Sequence, residues 1–135
     1  DWPYDITKFT QIPPAKATTD AVPFKVTEYH RVTALTTLKA ALAEGYPVVL
    51  GIAVYESFES DQVAKTGIIP LPNPGEKLLG GHAVLAVGYK DDAKYTTNGF
   101  VICRNSWGEG WGDKGYFYLP YSYFAKYVSD MWTGK

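Results

Sequence analysis

The sequence holds a single cysteine, Cys103, so it can form no disulfide within itself. It also lacks an excess of charge. Its 13 basic and 14 acidic residues give a net charge of −1. No basic stretch stands out, so nucleic acid and anionic membrane surfaces are not expected partners. Long hydrophobic runs are missing too: the longest, Val48 to Tyr55, is far short of the roughly 20 residues a spanning helix needs. The opening Asp1-Trp2-Pro3 has no signal-peptide character. Histidine is scarce, with only His30 and His82 present. No His/Cys cluster has metal-ligand spacing, and Gly80-Gly81 lacks the spacing of a phosphate loop. Neither a metal nor any other cofactor is expected.

What is present fits a folded domain. The 135 residues are 46% hydrophobic and 20% charged, enough apolar content to bury one core. Tyrosine is abundant, at 11, and aromatics reach 16%, which suits β-structure and aromatic-lined grooves. Residues 1–23 carry Pro3, Pro13, Pro14 and Pro23 among polar residues and read as an extended segment. Phe24 to Arg31 reads as a short strand. Leu35, Leu38 and Leu42 make one apolar stripe, predicting a helix from an N-cap at Thr33 to about Glu44, stopped by Gly45. Val48 to Val54 is nearly all apolar and reads as a strand buried on both faces. A Gly- and Pro-rich loop from Lys65 to Gly81 leads into a strand from His82 to Tyr89. Asp91 to Gly99 ends in the turn signal Asn98-Gly99, so Phe100 to Asn105 should pair back antiparallel. Gly115 to Leu119 reads as a further strand. The expectation is α+β, an antiparallel barrel-like sheet covered by one main helix.

Two runs carry chemistry. His82 lies in Gly80-Gly81-His82-Ala83-Val84-Leu85-Ala86-Val87-Gly88-Tyr89, and Asn105 in Arg104-Asn105-Ser106-Trp107-Gly108-Glu109-Gly110-Trp111-Gly112. The predicted hairpin brings the start of one strand beside the end of the next, where these residues fall. Together the runs resemble the histidine and asparagine segments of the papain-like cysteine peptidases. The resemblance extends more weakly to Gly45-Tyr46-Pro47-Val48-Val49 and to Trp2-Pro3-Tyr4.

The resemblance implies a division of labour. In such enzymes a thiolate is the nucleophile, an imidazole takes and returns the proton, and an asparagine fixes the ring. By resemblance His82 is that base and Asn105 its orienting partner. Trp107 shields their hydrogen bond and walls the leaving-group side, with Trp111 beside it. Gly81 and Gly51 fall by resemblance in the substrate cleft, Gly51 near the pocket for the second residue on the acyl side. Residues 1–135 are thus expected to be the barrel half of a papain-like domain, hydrolysing peptide or protein substrates through an acyl-enzyme. The missing disulfide leans toward a prokaryotic-type protein, intracellular or exported.

The pattern breaks at the nucleophile. The family places its cysteine after an oxyanion-hole glutamine, about 130–150 residues before the His and Asn. Here Gln11 and Gln62 are the only glutamines, and neither precedes a cysteine. Cys103 falls where the family has a core aliphatic, and it reads as a small buried hydrophobe. The expected partner is therefore an N-terminal half carrying the cysteine. The chain is expected to be a processed half, a fragment, or a natural half-domain. The last option leaves a second reading open, a non-catalytic module that binds peptides or proteins.

Overall fold

A computed structural model of the chain describes residues 2–95 and 97–135. Asp1 of the N-terminal segment and Thr96 of the 91–99 connection lie outside the described residues. Six strands form one sheet: β1 (Tyr29–Arg31), β2 (Val48–Tyr55), β3 (Leu78–Asp91), β4 (Gly99–Arg104), β5 (Tyr116–Pro120) and β6 (Val128–Gly134). They are ordered β1-β6-β2-β3-β4-β5, and every neighbouring pair is antiparallel. Among the described residues three α-helices accompany them: α1 (Ala15–Asp20), α2 (Leu35–Ala43) and α3 (Asp61–Thr66).

The architecture is α+β with one main helix, as expected, but the sheet is open rather than a closed barrel. Its β5 edge is already occupied. Tyr118 N donates to Gly67 O at 2.7 Å, and Ile69 N donates to Tyr118 O at 3.2 Å. With those groups taken, β5 has little left to offer another strand.

Strand β2 corrects one expectation. Its even positions Val48, Leu50, Ile52 and Val54 are buried, whereas Val49 is 50% exposed. One face therefore packs on the core and the other does not, which is the habit of an antiparallel strand. Leu38 is fully buried, and Leu35 and Leu42 pack against the same core, so α2 covers that face. Burying a leucine contributes about 2 kcal/mol. Lys39 of α2 binds Asp91 at the end of β3, at 2.5 Å, and Tyr121 also donates to that carboxylate at 2.8 Å. These hydrogen bonds, Lys39 foremost, hold the Asp91 carboxyl below its ordinary range.

Other boundaries also differ. Helix α2 starts at Leu35 after Ala34, and Thr33 does not cap it. The segment 1–23 is not simply extended. It holds single 3-10 turns at Ile6–Lys8 and Val22–Phe24, and α1 starts directly after Pro14. Pro14 sets up that first turn, and Lys16 pairs with Asp20 at 2.7 Å one turn on. Strand β1 keeps only the last three residues of the predicted 24–31 strand. The loop before His82 is shorter than predicted, because α3 reaches Thr66 and β3 begins at Leu78.

Candidate active site

His82 is set by strand pairing. It lies opposite Ile52, whose side chain is buried, so the imidazole sits on the core-side face where the sheet opens out. Leu85 pairs with Arg104, which puts Asn105 opposite Val84, two positions from His82 on the same face. Such diagonal neighbours lie within reach of long side chains. Asn105 N donates to Gly115 O at 2.9 Å, which anchors the residue at the end of β4.

The two side chains meet at 2.8 Å, His82 Nε2 to Asn105 Oδ1. Ser106 N also donates to Oδ1 at 2.8 Å. An amide oxygen only accepts, so Nε2 carries the hydrogen and Nδ1 is left free to exchange a proton. Asn105 is 8% exposed, and its Nδ2 is buried with no partner among the described residues. A buried orphan donor costs about 1–3 kcal/mol.

An aromatic stack backs this pair. Trp107 lies over His82, with ring centroids 5.0 Å apart and planes 24° apart. Trp111 meets Trp107 edge-on at 4.9 Å. The chain turns just after each of them, with positive φ at Gly108 (85°) and Gly112 (63°), a region that favours glycine. Gly112 N donates to Ala64 O at 2.7 Å, tying the loop to α3. Beneath both indoles lies Phe58, 1% exposed, on the 3-10 turn Glu56–Glu59.

The structure brings His82, Asn105, Trp107 and Gly81 together. Gly81 lines a hollow beside His82 and Trp107. Trp111 stands behind Trp107, packed on Phe58 and Phe117. Gly51 is not part of that hollow. It pairs with Ala83 and Asp130, and a Cβ there would come within 2.7 Å of Ser129 Oγ. Sequence reading missed Phe58 and Glu59, which also borders the hollow. Glu56-Ser57-Phe58-Glu59 matches no motif, and only tertiary packing brings it here. Glu76 steadies the same turn, accepting from Ser57 N at 2.6 Å and Asn73 N at 2.8 Å. Those bonds hold its carboxyl below the usual glutamate range.

Cys103 is fully buried, and burial pushes its thiol pKa up. It sits opposite Ala86, four residues and about 13 Å along the strand from His82. It is a core residue, as expected. Among the described residues no group of side chains could hold a metal ion.

The profile of the papain family of cysteine proteases matches residues 1–127. An uncharacterized peptidase C1-like protein of Acanthamoeba polyphaga mimivirus is 42% identical over 97% of this chain and 44% of its own length. Cysteine proteinase 3 of Entamoeba histolytica is 40% identical over 62% of this chain and 26% of its own. Among solved structures, xylellain, a cysteine protease from Xylella fastidiosa, superposes with a TM-score of 0.80 at 40% identity. That match covers 93% of this chain and 46% of xylellain. The chain thus spans less than half the length of these relatives.

Proposed function

Since the chain belongs to the papain family of cysteine proteases, we propose that it supplies the histidine and asparagine wall of a peptide-hydrolysing site. In this reading the nucleophilic thiolate is carried by residues outside these 135. The single observation that carries the reading is the His82–Asn105 hydrogen bond under Trp107. It holds the imidazole with Nδ1 free.

The chemistry then runs in two halves. The partner thiolate adds to the scissile carbonyl carbon, and its own proton has already passed to His82 Nδ1. When the C–N bond breaks, Nδ1–H protonates the leaving amine and an acyl-enzyme remains. Water enters, Nδ1 takes one of its protons, and the resulting hydroxide releases the acid and the thiolate. Asn105 acts throughout by fixing the ring, and Trp107 keeps water from the hydrogen bond between them.

One further observation supports an absent half. The sheet face turned away from α2 is uncovered: Val49, Val87 and Trp132 are exposed there, and a hollow among Val49, Ala83, Leu85 and Arg104 reaches Asn105 and Ser106. A non-catalytic half-domain would be expected to present a polar face at that position.

The test is Asn105→Ala, in the protein assembled with its nucleophile-bearing half. Turnover is expected to fall by about 10- to 100-fold with little change in KM, because only ring orientation is lost. Equal turnover in the variant and the parent would remove Asn105 from the reaction.

A further inference from the structure

The hollow that His82 borders is walled by Val54, Leu79, the Gly80-Gly81 pair, Trp107 and Glu59. Its chemistry is divided. Val54 and Leu79 are aliphatic, Trp107 offers an indole, and the acidic group in the wall is the exposed Glu59 carboxylate. A Cβ added at Gly80 or Gly81 would meet nothing within 4 Å, so the glycines leave room there.

Glu59 is uncommitted. None of the ion pairs among the described residues includes it. The neighbouring Glu76 is committed, with its carboxylate taken by the amides of Ser57 and Asn73. Glu59 therefore leaves the hollow with a free acceptor of negative charge, next to aliphatic and aromatic surface.

That combination suits a long side chain with an apolar stem and a cationic head. Lysine and arginine lay their methylenes on apolar walls and keep the charge at a carboxylate. Arginine can also stack on an indole. The direction of proton transfer says which end of the substrate lies here. His82 hands its proton to the departing amine, so the polypeptide leaving with that amine lies against His82, and the acyl part lies against the nucleophile.

We infer that Glu59 is a specificity-determining residue, and that it favours substrates with lysine or arginine immediately after the scissile bond. The inference rests on the peptidase reading above. Glu59 touches neither the reacting atoms nor Asn105, and it acts on which substrate is chosen.

The experiment uses quenched fluorescent peptides with one common acyl side, and Arg, Lys, Leu or Glu as the first leaving residue. They are assayed with the protein assembled with its nucleophile-bearing half. An exposed charge pair is worth up to about fivefold, and repulsion of a glutamate adds a similar factor. The parent is therefore expected to cleave the Arg and Lys peptides about tenfold faster in kcat/KM than the Glu peptide. Glu59→Gln should narrow that ratio to about threefold or less, and Glu59→Lys should invert the order. Raising salt should shrink the parent's ratio, an effect that a merely structural role would not produce. A ratio unchanged in both variants, or His82-dependent cleavage in the parent with no charge preference, overturns the inference alone. Cleavage of no peptide, or cleavage that survives His82→Ala, overturns the peptidase reading and this inference with it.

Discussion

His82→Ala, in the protein assembled with its nucleophile-bearing half, is expected to lower kcat by about a thousandfold or more. General acid–base catalysis by a positioned side chain contributes about 10²–10⁴-fold. Here the imidazole is asked to do more, because it also stabilises the partner thiolate. The remaining described residues of the site cannot take over. The other histidine, His30, is exposed on β1, where its ring lies 3.5 Å from Glu28. Steady-state kinetics on any cleaved peptide checks this. Turnover within tenfold of the parent would mean that His82 is not the base. Activity and folding separate here, because His82 is only part-buried and makes one side-chain hydrogen bond. Thermal denaturation of the variant should therefore stay close to the parent.

Phe58→Ala should have the largest effect on stability. The ring is 1% exposed and touches three other aromatics. Phe117 is edge-on at 5.4 Å, Trp111 is stacked at 5.9 Å, and Trp107 is edge-on at 5.9 Å. Truncating a buried phenylalanine costs about 3–5 kcal/mol. That is a large share of the roughly 5–15 kcal/mol that holds a domain together. The melting temperature should drop by roughly 10–20 °C. The loss should reach the reaction as well, because Trp107 rests on Phe58 and His82 rests on Trp107. Phe58→Leu keeps most of the volume and should recover most of the melting temperature. A drop of only a few degrees for Phe58→Ala would mean that the aromatic layers do not act as a unit.

How much of this was legible in the sequence depended on where the information lies. His82 and Asn105 stand inside long motifs, and the Asn98-Gly99 signal placed the hairpin between them. In the structure both turn residues have positive φ, 60° and 134°, and the side chains meet as the hairpin required. The burial of Cys103 followed from its standing where the family has a core aliphatic.

Strand β6 was not legible, for a geometric reason. Val128 pairs with Ile52 and Asp130 with Gly51, so Ser129 is an extra residue at a bulge. The bulge breaks the period of two that identifies a strand, and Met131 and Trp132 appear as adjacent apolar residues. Strand β2 misled in the opposite way. Its apolar run suggested burial on two sides, yet the structure covers one face and leaves Val49 on the other. The run still makes sense if a second half packs there. Phe58 and Glu59 had no local signal, because what matters about them is which residues pack around them.

In the proposed site this chain holds the base and its orienting partner, while the nucleophile lies elsewhere. The most direct test labels the protein, assembled with its nucleophile-bearing half, with a peptidyl epoxide that alkylates active-site thiolates. The modified cysteine is then located by peptide mass spectrometry. That division of the site requires a single labelled cysteine outside these 135 residues, with Cys103 unmodified and labelling lost in His82→Ala. A label on Cys103 would contradict it.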